Sequence, residues 1–306
     1  MIKYCLTAMA LKAFSCSNLT KRAYRALGNN LGGKKRAMGQ MPSYYLNRIN
    51  HMLRLARSYG VPKDGDRLLE LGTGWLHWEA ITARLFFDIR GILFDVWDNR
   101  QMNGLKNYLG QLENMLDKLD ADNAQRAYAY RLISQIKKAR TYQELYKLLG
   151  FEYVIDPRGS LNLLEKESFD LVVSAGVLEH ISAKDASGFV SGIAILLKPG
   201  GHSVHSISIR DHLHAYDNKV SRKQYLQYPD WAWRLCFEND VQYINRIQRA
   251  DWLKLFGKAG LLLIEEEVES EDLSGVRVAN VYRKKYEEND LKCGGLKIVH
   301  RKPVET

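Results

Sequence analysis

The chain lacks several features that would place it in a specialised class of protein. Its four cysteines, Cys5, Cys16, Cys236 and Cys293, lie far apart and form no CxxC pair. That spacing argues against a zinc ribbon or a disulfide framework and is typical of a reducing compartment. No apolar run approaches the roughly 18 residues of a membrane-spanning helix. With 46% hydrophobic residues, the 306-residue chain can form the core of one large α/β domain or of two smaller ones.

Acidic residues are absent from the first 63 positions, where twelve Lys and Arg residues occur. The other 243 residues carry 33 basic and 35 acidic side chains, so the net charge of +10 belongs to the N-terminal segment. Such a segment suits an anionic membrane surface, the phosphates of a nucleic acid, a cleaved transit peptide or a solvated basic face without a partner. Ile2, Leu6, Met9 and Phe14 recur at roughly helical spacing, which favours the membrane surface among the three functional interpretations.

Alternating apolar and helix-forming segments predict an α/β fold with a doubly wound, mostly parallel seven-stranded sheet. The last two strands are separated by only a short helical link, which predicts an antiparallel hairpin at one edge of the sheet. The predicted strands cover residues 67–71, 91–96, 151–156, 169–176, 202–209, 261–268 and 294–301.

The N-terminal segment, residues 1–60, is predicted to be helical and to precede an α/β domain over residues 61–306. A short helix begins at Ser17 or Asn18 and ends at Gly28, and a flexible basic loop follows it. A second helix, over residues 43–60, is predicted to pack onto the α/β domain.

Two longer segments interrupt the alternation of strands and helices. Residues 103–150, after the second strand, have helical periodicity with breaks near Asp120 and Thr141, and they predict a helical insert. Residues 210–248, after the fifth strand, are rich in His, Tyr and Trp. They are predicted to cover the side of the sheet where a substrate would bind.

The stretch RLLELGTGWLHWEA, residues 67–80, places a glycine turn between a buried strand and a helix. Ligands of doubly wound sheets bind at the carboxyl ends of the strands, where glycine lets the backbone approach them closely. A dinucleotide site requires a third glycine where this chain has His77, and a P-loop requires Gly-Lys-Ser/Thr, which is absent. The turn therefore predicts a ligand without a pyrophosphate. Asp95, 21 residues after Gly74, can accept both hydroxyls of a ribose, with Asp98 as the alternative, so a nucleoside cofactor is favoured.

Four segments, ELGTG, LFDVWD, FDLVVSAGVLEHI and LLKPGG, resemble in this order the successive motifs of class I S-adenosylmethionine-dependent methyltransferases. The resemblance covers about residues 66–209. It implies a Rossmann-like methyltransferase fold and S-adenosyl-L-methionine as the cofactor. The chain departs from the family pattern at Leu76, where a small residue is usual, and in the displaced position of the acid that would meet the adenine.

The resemblance also implies which residues bind the cofactor. It assigns three residues to the methionine end, one to the ribose, one with its adjoining backbone to the adenine, and two to the neighbourhood of the sulfonium. In that order they are Glu70, Gly72 and Gly74; Asp95; Asp156; and Ser174 and Ala175.

Methyl transfer from a sulfonium is an in-line displacement, and it needs a base only when the acceptor is a weak acid such as a sugar hydroxyl. Four of the eight histidines lie within 13 residues, in HSVHSISIRDHLH. We predict His212 as the base or the acceptor-orienting group, held by Asp211 or Asp217. His180, in LEH, is the alternative, and a packing role for these histidines is also consistent with the pattern.

Other residues of this region are predicted to contact the acceptor. Arg210 and Arg246 can form bidentate hydrogen bonds with a carboxylate or phosphate. His214 follows the predicted base two residues later in the sequence. A structural ion pair is the alternative for Arg246. No metal site is predicted, because His202 and His205, three apart on a strand, face opposite sides.

The sequence thus predicts a cytoplasmic methyltransferase, in peripheral contact with a membrane if the basic N-terminus binds lipid. The expected acceptor is a small molecule, a glycan or a lipid-linked group, with O-methylation slightly favoured over N-methylation. An RNA methyltransferase that uses the basic N-terminus and a non-catalytic binding subunit with the same fold are the alternatives.

Overall fold

In a computed structural model, which describes residues 1–304, seven strands form one mixed sheet. In chain order they are β1 (Arg67–Leu71), β2 (Arg90–Asp95), β3 (Phe151–Ile155), β4 (Phe169–Ala175), β5 (Leu197–Ser208), β6 (Leu262–Ser270) and β7 (Cys293–Arg301). Across the sheet their order is β3-β2-β1-β4-β5-β7-β6. All seven predicted strands are therefore present, with ends shifted by a few residues.

The sheet is parallel around β1 and antiparallel at β7. Strand β1 pairs in parallel with β2 and β4, and β2 pairs in parallel with β3. Strands β5 and β7 run in opposite directions, because the end of β5 is bonded to the start of β7 and the reverse. Ile209 N donates to Gly294 O, and Lys302 N donates to Gly201 O. The mostly parallel sheet with an antiparallel edge is thus confirmed.

The helices follow the predicted alternation, with a helical insert between β2 and β3. In chain order they are α1 (Ile2–Ser15), α2 (Asn18–Met38), α3 (Ser43–Tyr59), α4 (Trp78–Phe86), α5 (Met102–Glu113), α6 (Asn123–Lys138), α7 (Tyr142–Leu149), α8 (Ala186–Leu196), α9 (Asp230–Cys236), α10 (Arg249–Lys258), α11 (Asn280–Arg283) and α12 (Glu288–Lys292). Helices α5, α6 and α7 make up the predicted insert. Among the described residues, no helix combines the length and apolarity needed to cross a membrane.

The prediction that a helix ends at Gly28 and a loop follows is wrong, because α2 continues to Met38. Its start is as predicted, since Thr20 N donates to Ser17 Oγ at 3.2 Å. Its later turns are held by side chains from elsewhere: Asn107 Nδ2 donates to Arg36 O at 2.8 Å, and Gln101 Nε2 donates to Asn29 O at 3.2 Å. These long-range bonds compensate for the low helix propensity of the glycines.

The chain divides into two compact units. The first unit contains residues 1–28, 176–191 and 205–300, and the second contains residues 29–175 and 192–204 together with the described residues after 300. In the second unit, Leu68, Leu69 and Leu71 of β1 are almost completely buried, as expected for a strand that is covered on both faces.

The first unit has a core of its own, formed largely by the segment that follows β5. Tyr4, Ala8 and Leu11 of α1 pack into a cluster that includes Tyr225 and Trp233. One face of the basic N-terminal helix is therefore an integral part of this unit.

Candidate functional site

The glycine turn after β1 has the backbone conformation that its composition indicates. Gly72 and Gly74 have φ angles of 64° and 58°, in the left-handed region that favours glycine. Gly72 N donates to Phe94 O at 2.8 Å, which ties the turn to the end of β2. A Cβ added at Gly74 would meet nothing closer than Gly72 O at 3.9 Å. Glycine is therefore required at position 74 by conformation rather than by crowding.

Asp95, the last residue of β2, joins the glycine turn to the loop after β2. Its carboxylate accepts short hydrogen bonds from Gly74 N (2.8 Å) and Val96 N (2.7 Å) and longer ones from Thr73 Oγ1 (3.5 Å) and Trp97 N (3.3 Å). Burial raises the pKa of Asp95, and the surrounding N–H donors oppose this shift. A carboxylate offers about four acceptor positions, so the two longer contacts can give way to ribose hydroxyls. The group therefore fits the predicted cofactor.

Asp98, the alternative acid, has a different environment. Its carboxylate is paired with Arg100, whose Nε and Nη2 lie 2.8 Å and 2.6 Å from its two oxygens. Hydrogen bonds from this guanidinium lower the pKa of Asp98. Both carboxylates stay candidates for the ribose, but only Asp95 touches the glycine turn.

Glu70 lies inside the second unit and holds the start of α4 against β1. Its carboxylate accepts Ala80 N at 2.9 Å, which satisfies one of the free N–H groups of the first helical turn. Burial, and after it the neighbouring Glu79, raise the pKa of Glu70 well above the usual value. A role of Glu70 at the methionine end of the cofactor stays a prediction.

Asp156 and Ser174 lie at the carboxyl ends of β3 and β4, the ends that also carry Asp95 and the glycine turn. Asp156 N donates to Asp95 O at 3.1 Å, and its carboxylate accepts Arg158 N (3.2 Å) and Ser160 N (3.0 Å). The N–H of Arg158 contributes most to lowering the pKa of Asp156. Ser174 is in register with the last residue of β1 and is buried. The second unit thus brings every predicted cofactor residue to the carboxyl ends of four adjacent strands.

Trp75 and His77, which follow the two glycines of the turn, both contact other parts of the second unit. Trp75 Nε1 donates to Asn29 Oδ1 at 2.9 Å, and the guanidinium of Arg36 lies 3.9 Å from the centre of its ring. His77 is buried, with a φ of 50°, and its Nε2 is hydrogen-bonded to Tyr146 Oη of the helical insert at 3.1 Å. Burial lowers the pKa of His77 to about 3. Trp75 therefore faces α2, and His77 packs under the insert.

Sequence reasoning missed Asn29 and Arg36 at this turn. Both are more than 35 positions away from it along the chain, and α2 was not predicted beyond Gly28. The only available signal was the excess of basic and amide side chains between residues 29 and 36.

In the first unit, His180 and His212 form a pair, with 5.2 Å between the ring centroids. His180 Nδ1 lies 2.7 Å from Tyr243 O, so the N–H is assigned to Nδ1 and Nε2 keeps its lone pair. Burial, and after it the neighbouring His180, lower the pKa of His212 to about 4. The base predicted from sequence and its alternative therefore lie together. His212 is an uncharged imidazole at neutral pH.

The two aspartates predicted to hold His212 bind α1 instead. Tyr4 Oη donates to Asp211 Oδ2 at 2.6 Å, and Leu213 N donates to Asp211 Oδ1 at 2.9 Å. Asp217 Oδ2 accepts Tyr4 N at 3.2 Å and the chain's terminal ammonium at 3.3 Å. Burial raises the pKa of Asp211 to about 6. Neither carboxylate is hydrogen-bonded to His212 within residues 1–304, and a catalytic role for Asp211 stays a prediction.

The residues predicted to bind the acceptor also have protein partners. Arg210 pairs with Glu269 (2.7 Å) and Glu271 (2.5 Å). Arg246 pairs with Asp230 at 2.5 Å, and its guanidinium lies 4.9 Å from the centre of the Trp233 ring. This is the structural ion pair that the sequence analysis gave as the alternative role of Arg246. His214 Nδ1 lies 2.7 Å from Val220 O, which fixes the orientation of its ring.

A cleft of about 110 Å³ opens beside the end of β5 in the first unit. It is lined chiefly by polar side chains: Glu179, Ser206, Ser208, Arg210, Glu269 and Lys297. The buried carboxylate of Glu179, which precedes His180, accepts Ser208 N at 3.2 Å through Oε1. Sequence reasoning missed Glu179, because glutamate in the motif LEH gives no indication of its burial.

The model of a known family, described as a methyltransferase domain, matches residues 40–266 of the chain. The chain belongs to the methyltransferase-domain family. This match, which covers most of the chain, confirms the resemblance inferred from the four sequence motifs, and with it S-adenosylmethionine as the cofactor of this fold. Comparison with curated proteins finds no significant match.

Solved structures similar to this chain include three methyltransferases. Phosphoethanolamine N-methyltransferase 2 of Haemonchus contortus, in complex with S-adenosyl-L-methionine, is 16% identical with a TM-score of 0.46; the alignment covers 83% of this chain but 52% of that chain, about half its length. An S-adenosylmethionine-dependent methyltransferase of Methanosarcina mazei is 13% identical with a TM-score of 0.46, covering 82% of this chain and 98% of that one. A Mesorhizobium loti enzyme of the same description is 15% identical with a TM-score of 0.42, covering 81% and 96%.

Proposed function

We propose that this methyltransferase acts on an oxygen of a small-molecule, glycan or lipid-linked acceptor. The observation that carries the proposal is the polar cleft at the end of β5, which is lined by the carboxylate that precedes His180. A cleft of about 110 Å³ accommodates one polar group of an acceptor rather than a folded surface. The alternation of hydroxyl, carboxylate and cationic side chains in its wall suits an acceptor rich in hydroxyl groups.

The histidine pair supplies what a hydroxyl acceptor needs. When bound, S-adenosylmethionine supplies a methyl group on a sulfonium, which is already activated for displacement. The hydroxyl oxygen forms the new bond to the methyl carbon as the carbon–sulfur bond breaks, and its proton must be accepted by another group. His180 Nε2 carries a lone pair, and the ring of His212 is uncharged at neutral pH, so either can accept that proton.

The proposal is tested by following a labelled methyl group into an extract fractionated into lipids, glycans, RNA and small molecules. Calorimetric titration with S-adenosylhomocysteine is done first with the same protein. We expect binding, and label in the lipid, glycan or small-molecule fraction. Label in RNA alone would contradict the proposed acceptor class. Failure to bind S-adenosylhomocysteine would contradict the enzyme itself and favour a non-catalytic binding subunit.

We further propose that helix α1 and the first part of α2, residues 18–28, which both belong to the first unit, bind an anionic membrane surface. On α1, Tyr4, Ala8 and Leu11 are buried, whereas Ile2, Leu6 and Met9 are exposed. The first part of α2 has no buried residue and exposes two more large apolar side chains, Leu19 and Leu27. The same two helices contain basic residues and no acidic one. Apolar side chains for the acyl boundary and cations for the headgroups are the combination that interfacial helices use.

Vesicle co-sedimentation tests this surface. We expect the chain to bind vesicles of phosphatidylcholine with phosphatidylglycerol, and to bind phosphatidylcholine alone much more weakly. The double variant Leu19→Ser with Leu27→Ser should weaken binding about tenfold or more, because each exposed leucine contributes roughly 1–2 kcal/mol when buried in the interface. Val281→Ser, at an apolar position of α11 that is half exposed, is the matched control.

Equal binding to both kinds of vesicle, or an equal loss in the control variant, would contradict the membrane surface. Binding to RNA without binding to vesicles would favour the nucleic-acid interpretation of the basic segment instead.

A further inference from the structure

Three side chains of the first unit are arranged around one point. One ligand atom each of Glu179, His180 and His212 lies within 4.8 Å of those of the other two. Two imidazoles and a carboxylate form a ligand set common to divalent transition metals in proteins. The sequence did not indicate this set, because the three residues come from two segments more than 30 positions apart.

The carboxylate of Glu179 has one oxygen that makes no hydrogen bond to the part of the chain that the structure describes. Glu179 is 4% exposed; Oε1 accepts Ser208 N, whereas Oε2 is buried and has no hydrogen-bond partner among the described residues. An unpaired buried carboxylate oxygen is costly, so it usually indicates an unsatisfied ligand site or an ion. Oε2 belongs to the same carboxylate that takes part in the cluster with the two histidines.

The ring of His180 is oriented from outside the cluster. Nδ1 donates to Tyr243 O at 2.7 Å, which directs the lone pair of Nε2 away from that bond. Metal-binding histidines almost always donate their second N–H in this way, because the bond fixes both tautomer and ring orientation. The ring of His212 lies beside it, with 5.2 Å between the ring centroids and an angle of 59° between the ring planes.

Asn245 holds the backbone that carries Glu179 and His180 through three hydrogen bonds. Its Nδ2 donates to Leu178 O at 2.7 Å and to Ile181 O at 2.9 Å, and its backbone N donates to Glu179 O at 2.9 Å. Two adjacent ligand residues are therefore fixed before any ion binds. Such preorganisation is what a metal site requires of the protein around it.

We propose that Glu179, His180 and His212 bind one divalent transition-metal ion, such as Mn²⁺, Fe²⁺, Co²⁺ or Zn²⁺. Three protein ligands leave positions open, and His180 is exposed to solvent. With the ion bound, both imidazoles are ligands and no longer proton acceptors. An acceptor hydroxyl that occupies an open position would then lose its proton to water, a step that the ion favours because it stabilises the oxyanion. This use of the ion rests on the proposed O-methylation, whereas binding of the ion does not.

Metal binding is measured on the full chain after treatment with a chelator and removal of the chelator. Co²⁺ is titrated while visible absorption is recorded, and Zn²⁺ is titrated by calorimetry. We expect one equivalent of each ion to bind, and the Co²⁺ spectrum to show nitrogen and oxygen ligands. Glu179→Gln preserves the size of the side chain and should weaken binding about tenfold or more. His202→Asn, at a histidine outside the cluster and outside the predicted sites, should leave the affinity unchanged.

Binding that is equally tight in Glu179→Gln, or absent from the wild type, would overturn the metal site. If Glu179→Gln does not fold, as judged by circular dichroism, the same comparison is made with His212→Asn, whose side chain is partly exposed. Metal binding without methyl transfer to any acceptor would overturn the proposed function and leave the metal site standing. Methyl transfer that a chelator does not affect would overturn the use of the ion in the reaction.

Discussion

Replacing Asp95 with Ala is the most informative perturbation of the cofactor site. The carboxylate accepts two short hydrogen bonds, from the turn after β1 and from the loop after β2. It is 5% exposed, so its loss leaves those two N–H groups without their acceptor in a dry environment. Hydrogen bonds to a charged group contribute roughly 1.5–3 kcal/mol each.

Cofactor affinity is expected to fall by at least about tenfold in Asp95→Ala. The loss of a single ribose hydroxyl bond to the carboxylate, at about 1.4 kcal/mol or more, corresponds to this factor, and a disordered turn would add to it. Asp95→Asn should be intermediate, because an amide oxygen can still accept one of the two N–H groups while its NH₂ faces the other.

Asp98→Ala is the matched control, three positions away. Its carboxylate pairs with Arg100 near the surface, and such exposed pairs contribute only about 0–1 kcal/mol. The assay is calorimetric titration of each variant with S-adenosylhomocysteine, together with its melting temperature. A tenfold loss in Asp98→Ala with little change in Asp95→Ala would refute the assignment of the ribose to Asp95.

Three further predictions concern Lys223 and Tyr4, both in the first unit. Lys223 is completely buried, and its Nζ lies 2.8–3.2 Å from four acceptors: Ile209 O, Tyr225 Oη, Gln248 Oε1 and Cys293 O. Lys223→Met leaves these acceptors without their donor, so it should lower the free energy of unfolding in urea by about 2–4 kcal/mol. Burial lowers the pKa of Lys223 to about 7, so the unfolded chain binds the additional proton above that pH. The free energy of unfolding should therefore rise between pH 7 and 9 by up to about 1.4 kcal/mol per pH unit. Lys223→Met should not show this increase, and an equal pH dependence in both proteins would contradict the prediction. Tyr4→Phe removes the hydroxyl that donates to buried Asp211, and it should lower the unfolding free energy by about 1–3 kcal/mol, whereas an unchanged melting temperature would show that α1 does not depend on this bond.

The parts of the fold that were predictable are those set by local patterns. The run Leu68–Leu71 is apolar except for Glu70 and is followed by glycines with positive φ, so both the buried strand and the ligand turn follow from neighbouring residues. The helical insert after β2 was visible for the same reason, since its periodicity and its breaks are properties of consecutive side chains. Helix α3, which ends at Gly60 in the left-handed conformation, is a further case.

The residues that sequence reasoning missed or assigned to other partners owe their environment to distant segments. Asp211 was expected beside His212 because the two are adjacent in sequence, yet its partner is Tyr4, 207 positions away. Helix α2 continues through its glycines because residues from the loop and helix after β2 bind its backbone.

By itself, the sequence determined the family, the order of strands and helices, and the strand ends that carry the predicted cofactor residues, because each depends on short motifs, local periodicity and turn chemistry. Only the tertiary structure decided which polar side chains are paired and which are left open. It paired Arg210 and Arg246 with carboxylates, and it buried one oxygen of Glu179 for which residues 1–304 provide no hydrogen-bond partner. Burial and pairing depend on contacts between residues far apart in the chain, and no local pattern encodes them.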